Sequence, residues 1–322
     1  MRTHYDSGED TALVRRDGLL AETRASIRYL RQGLELTLGA PFLFISIVFI
    51  FSAPALLAAL VAWNIDPADA SSIHIVLLNM MTTIVGAMVF MTAVGAHYRT
   101  EPIAFFTVVR RAIPWLPRYI WTNVHTSVLF WVPVSLLIVG HSWLTEQGVT
   151  AYIPAWLDVW GFALIVGSIA AYMHSRTLLA PYLAVHSDLP ASLAAWESWR
   201  VSGYYQRKVF LTFVICSLPF ALPVIMLFGG ILLGHSVFMA PVNVQPHLLA
   251  VGIQFVRLTL IPAAYMLYHD LWDEEEVRWQ IEGPPEPPAS VAALMKLTAW
   301  LPAVGPFGRR NLAQPLSHVA TG

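Results

Sequence analysis

Six long apolar stretches alternate with short polar ones along this chain: residues 42–63, 74–96, 119–140, 156–174, 209–233 and 248–268. Each is about 19–25 residues long, and a helix of that length crosses a hydrocarbon core of roughly 30 Å. Pro41 opens the first stretch, a favourable first helical position. Pro54, Pro219, Pro223 and Pro262 fall inside stretches one, five and six and predict bends. The first forty residues are polar and charged, so a cleavable signal peptide is not expected. Within them Leu20, Ile27, Leu30 and Leu34 share one face of a helix over 19–37, flanked by Arg24, Arg28 and Arg31. That pattern predicts a helix lying on the membrane surface, with an ordinary solvated helix as the plainer alternative.

The inner connections carry their own pattern. Pro102 and Pro190 sit at matching places after stretches two and four, each opening a short helix. In the second, Leu189, Leu193, Trp196 and Tyr204 are assigned to one face, with Glu197, Ser198 and Gln206 away from it. The expected fold is all-α: six transmembrane helices with amphipathic surface helices between spans two and three and between spans four and five. Residues 1–38 form a tail with one amphipathic helix, 39–272 the membrane domain, and 273–322 an acidic, proline-rich tail. Two related units, each a span, a surface helix and a span, are one reading of this order.

Charge orients the pattern. Lys and Arg total 19. All but Arg257 lie in the two tails or in the connections after spans two and four, and the loops 64–73, 141–155 and 234–247 carry none. The positive-inside rule then places both termini in the cytoplasm of a bacterial inner-membrane protein. The chain is 57% hydrophobic and 12% charged, with net charge −1, which argues against a soluble domain and against nucleic acid as a partner. The lone Cys216 forms neither an intrachain disulfide nor a thiolate metal site. Met80, Met81, Met88 and Met91 read as adaptable packing, with a copper path as the rival. Gly86, Ala87, Gly95 and Ala96 are small enough to bring helices close, within or between chains.

Candidate chemistry is sparse. Arg257, three residues after Gln254, lies near the middle of span six, where insertion of a charge costs about 2.5–3.5 kcal/mol. Asp158 is the one acid well inside a span and is expected to pair with it. An interhelix clamp, a ligand or ion site, and snorkelling to the outer interface are the three readings. Histidines mark both faces: His74, His141, His235 and His247 outside, and His97, His174 and His269 inside, with His125 and Asn123 deeper in span three. Either group is a candidate for zinc, copper or haem, although no two-His i,i+4 pair occurs and interface residues are the simpler reading. No nucleophile elbow, Walker loop, HExxH or dinucleotide fingerprint is present, which points away from an enzyme. No cofactor is expected.

The stretch Arg176-Thr-Leu-Leu-Ala-Pro181-Tyr182, followed by Trp196-Glu-Ser198-Trp199-Arg200 and Gly203, and the close Tyr265-Met-Leu-Tyr268-His-Asp270-Leu271 resemble one group of proteins. These are the six-helix membrane proteins related to the membrane domain of glycerophosphoryl diester phosphodiesterases and to YciC-type bacterial inner-membrane proteins. The resemblance covers about residues 75–283. It implies a six-span fold and no particular activity. The position after Leu271, often basic in such proteins, is Trp272 here.

The role expected from these features is non-enzymatic: support of the envelope or of a membrane complex through lipid or partner contacts at Arg110, Arg111, Trp196, Trp199 and Arg200. Membrane lipids, a membrane-protein partner or a second copy are the expected partners. The rivals are a small-solute or ion transporter with a site at Arg257, Asp158 and Gln254, and a metal- or haem-binding membrane protein.

Overall fold

The computed structural model describes residues 9–64, 73–101, 103–148, 152, 154–187, 189–233, 244–283 and 286–298. It is 90% helical, with no strand among the described residues. The helices are α1 (Glu9–Gly39), α2 (Pro41–Asn64), α3 (Ile73–Tyr98), α4 (Phe105–Ala112), α5 (Leu116–Glu146) and α6 (Ala155–Thr177). They continue with α7 (Ala180–Val185), α8 (Ala191–Tyr204), α9 (Gln206–Leu233), α10 (Gln245–Glu282) and α11 (Ala289–Thr298). Among the described residues four segments are long and apolar enough to cross a membrane: Pro41–Trp63, Leu77–Tyr98, Phe105–Glu146 and His247–Trp279. The fourth and fifth apolar stretches form α6 and α9, helices of 23 and 28 residues. Pro102, residues 65–72 and 234–243, and those beyond 298 lie outside the described residues.

Contacts give each helix its direction. Thr83 and Gly86 of α3 meet Gln254 and Arg257 of α10, and Tyr98 meets Tyr265 and His269 further on, so these two helices run parallel. α2 runs against α3, with Phe51 on Gly86 and Phe44 on Phe90 and His97. α9 runs against α10, because Lys208 pairs with Asp270 while the Cys216 carbonyl accepts from Thr259. α5 and α6 form a hairpin joined near its tip by His141 and Asp158. At its other end Arg118 reaches the Ala184 carbonyl and His174 meets Phe213 of α9. Arg99, Arg118, Arg176, Arg200, Lys208 and Arg278 thereby gather at one end of the bundle, here termed the basic end.

α1 is a member of the bundle rather than a separate surface helix. It runs antiparallel to α10, with Tyr29 on Asp270, Gly33 on Pro262–Ala263, and Thr37 on Leu258. Two local facts explain the fit. A Cβ on Gly33 would lie 2.6 Å from the Ala263 nitrogen, so only glycine permits this approach. Pro262 has no N–H, which leaves the Leu258 carbonyl without its helical donor. Thr37 supplies one, at 3.1 Å. Of the leucine face predicted to lie on the surface, Leu20, Ile27 and Leu34 are exposed and Leu30 packs against the core, while Ser26, Tyr29 and Thr37 are buried.

α8 mixes its predicted faces: Leu189 is buried and Leu193 packs against the core, but polar residues are buried with them. Glu197, Ser198 and Ser202 are buried, and Tyr204, assigned to the opposite face with Leu193 and Trp196, is exposed. In lipid the outer surface is apolar, so small and polar residues mark the contact face. α10 also runs past its expected end: the acidic run Asp273–Glu276 stays helical, and Leu271 and Glu275 are fully buried. Pro54 and Pro262, where bends are expected, lie inside continuous helices. Gly86 and Gly95 bring helices together within the chain, against Phe51 and His186. The methionines do not share a face: Met88 and Met91 are buried, and Met80 and Met81 exposed.

Candidate functional site

The basic end holds three linked groups of side chains. The first ties α8 to α10. Arg200 lies 2.9 Å from Glu197 and 2.8 Å from Glu275, and Arg278 adds a 2.7 Å bond to Glu275. Both carboxylates are almost wholly buried. Burial raises the Glu197 carboxyl above its ordinary value, more than Arg200 lowers it, with Glu275 adding to the rise. Burial would lower Arg200, but the bonds to Glu275 and Glu197 outweigh that and raise it. Arg200 was expected to meet head groups; its side chain is instead mostly enclosed and bound to two carboxylates. The second group joins three helices: Asp270 of α10 accepts from Tyr29 of α1 and Lys208 of α9.

The third group is an aromatic layer. Tyr98 stacks on His269 at 5.1 Å, and Tyr265 meets His269 at 4.7 Å and His186 at 5.1 Å. Tyr268 and Tyr182 close the layer 5.9 Å apart. Tyr182 donates to the Ile261 carbonyl at 2.9 Å, and the hydroxyls of Ser187 and Tyr268 lie 2.6 Å apart. His186 was not singled out from the sequence, nor were Tyr98, Tyr29 and Glu275. One signal was available for Tyr29: it shares a face with Ser26, Gly33 and Thr37, a small-residue pattern of the kind that seats one membrane helix on another.

Several residues quoted above for the family resemblance prove to be packing partners. Arg176 lies over the Trp199 ring at 4.6 Å, and its guanidinium fills the space a Cβ on Gly203 would need. Ser198 donates to the Arg176 carbonyl at 3.0 Å. The two halves of the pattern thus meet at one place, the α6–α7–α8 turn against the end of α10.

Outward-facing cations surround this core. Arg110 on α4 is exposed between Phe106, 84% exposed, and Ile113, 60% exposed. Arg111 pairs with Glu101, which also accepts from Arg99 at 2.8 Å. The Arg99 bond, with help from Arg111, holds the Glu101 carboxyl below its usual value. Arg24 and Arg207 are exposed and form no ion pair among the described residues.

Arg257 stands apart from all of these. It does not pair with Asp158, which bonds His141 at 3.0 Å. Its guanidinium donates instead to Gln254, whose amide donates to Thr83 at 3.1 Å. Asn123 of α5 donates to the Tyr119 carbonyl at 2.8 Å. The reason for the mismatch is lateral position: α5 lies beside α6, so the hairpin satisfies Asp158 internally. The histidines also separate. His97 faces Phe44, His174 faces Phe213, and His269 enters the aromatic layer. At the opposite end His141 takes Asp158 and His247 takes Asn79 at 3.1 Å. His125 bonds the Trp121 carbonyl at 2.9 Å. His74 lies at the start of α3, and His235 is outside the described residues. Among the described residues no three His, Cys, Asp or Glu side chains come together to hold a metal.

No family model, curated protein or solved structure matches the chain.

Proposed function

We propose that the chain is a six-span bacterial inner-membrane protein with both tails in the cytoplasm. Its work is non-enzymatic: it holds anionic lipid head groups or a partner at the basic end, in support of the envelope or a membrane complex. The observation that carries the reading is the exposed face of α4. There Arg110 sits between exposed Phe106 and Ile113, a mixture that favours neither water nor hydrocarbon but suits the head-group layer. Arg24 and Arg207 extend the same cationic rim. Arg200 drops out of the contact surface because Glu197 and Glu275 neutralise it.

Two measurements test this. Cysteines placed singly at Arg110 and Gln147 report the topology in intact cells: Gln147→Cys should react with an impermeant thiol reagent and Arg110→Cys should not. Reaction at Arg110→Cys would end the orientation. In mild detergent, R24Q/R110Q/R207Q should retain less phosphatidylglycerol than the unaltered protein. Equal retention would remove the lipid arm and leave a protein partner. A second reading, carriage of a small solute, is favoured by one observation: Arg257 sits in the apolar part of α10 with Gln254 and Thr83.

A further inference from the structure

Among the described residues Arg257 has no carboxylate partner. Its described hydrogen bond goes to Gln254, and that bond uses a single nitrogen of a group with five donors. Arg257 is partly buried. It stands far from either end of α10. His247, bonded to Asn79, is about 15 Å away along the helix, and Asp270 is about 20 Å away on the other side. The residues around it are prepared rather than accidental. Gly86 leaves room for both Phe51 and the guanidinium, which lies 3.5 Å from where a Cβ would stand. Gln254 is held from behind by Thr83, so its carbonyl is presented to Arg257 in one orientation. Two helices thus deliver polar groups to one point of an otherwise apolar layer, and among the described residues no carboxylate stands beside the charge they hold.

A guanidinium at such depth is stable when an anion completes it. Its planar fork matches an oxyanion with two oxygens, a carboxylate or a phosphate. We infer that Arg257, oriented by Gln254 and Thr83, anchors an intramembrane site for one oxyanion group. That group is carried either by a lipid or by a small free anion. The inference rests on α10 spanning the membrane and is independent of the lipid contacts assigned to the basic end.

The test uses the full-length protein in mild detergent after delipidation, with oleate, phosphatidylglycerol and inorganic phosphate as probes. Binding is read by native mass spectrometry and by the shift in melting temperature. One equivalent should bind, and R257Q should weaken it by about tenfold or more. Binding of the two amphiphiles alone assigns the site to a lipid, and binding of phosphate as well assigns it to a free anion. R24Q/R110Q/R207Q should leave this equivalent in place, which separates failure of the basic-end reading from failure of this one. If R257Q does not purify as a single species, R257K replaces it. It keeps the charge without the fork and should weaken binding by about threefold. Binding that is the same in the Arg257 variant as in the unaltered protein, or no binding of any probe, overturns the inference.

Discussion

The basic end and the far half of the α5–α6 hairpin use their side chains in opposite ways. At the basic end α1, α8, α9 and α10 bury Tyr29, Glu197 and Glu275, and polar groups satisfy one another across helices. Along the far half of the hairpin Trp131, Leu136, Val139 and Leu164 are all more than half exposed, and the one described ion pair is His141–Asp158. The first region behaves like a protein interior and depends on its own partners. The second depends on the solvent around it, and hydrocarbon is the solvent that suits those side chains. Ion pairs therefore carry different weight in the two places: enclosed between several helices in one, joining the two helices of a hairpin in the other.

That contrast can be broken at its strongest point. Arg200→Gln leaves two buried carboxylates with only Arg278 beside them and should cost about 3–5 kcal/mol, read by titrated unfolding in detergent. A loss below about 1 kcal/mol would mean the network is wet and the two regions are alike. Gly33→Ala drives a methyl into the Ala263 backbone and should cost about 1–3 kcal/mol, with α1 becoming protease-sensitive first. Thr37→Val uncovers the carbonyl that Pro262 leaves free and should cost about 1 kcal/mol.

Glu197 sharpens the comparison through pH. Its carboxyl is raised in the folded protein, so folding takes up a proton there. The resulting stabilisation is fully present below the ordinary glutamate value of 4.5 and is lost as pH rises through the higher folded value. The melting temperature of the unaltered protein minus that of Glu197→Gln should therefore fall between about pH 4 and pH 7. A flat or rising difference would show that the Arg200 bond outweighs burial. The smallest effect is expected in the hairpin: Asp158→Asn, at a partly exposed pair, should change stability by less than about 1 kcal/mol.

Much of this architecture was legible along the chain. The apolar stretches at 42–63, 74–96, 119–140 and 248–268 correspond to the four segments now seen to be long and apolar enough to cross a membrane, because length and apolarity are local properties. Pro41 and Pro190 stand where their backbones require, at the start of α2 and just before α8. The site was less legible. Glu197 was assigned outward and Arg200 to the lipid, since a helix read by eye is expected to bury its large apolar side. Arg257 and Asp158 were matched by depth alone, and depth does not say which helices are neighbours.

The sequence by itself determined the helical class, the length of the apolar segments and the connections that carry the cations, since each follows from composition read in order against a lipid solvent. Only the tertiary structure decided which way each helix turns. When the surroundings are as apolar as the side chains, burial no longer selects the leucine face. The inward face goes to Ser26, Gly33, Thr37, Glu197 and Ser198, residues small enough to approach or polar enough to need a partner.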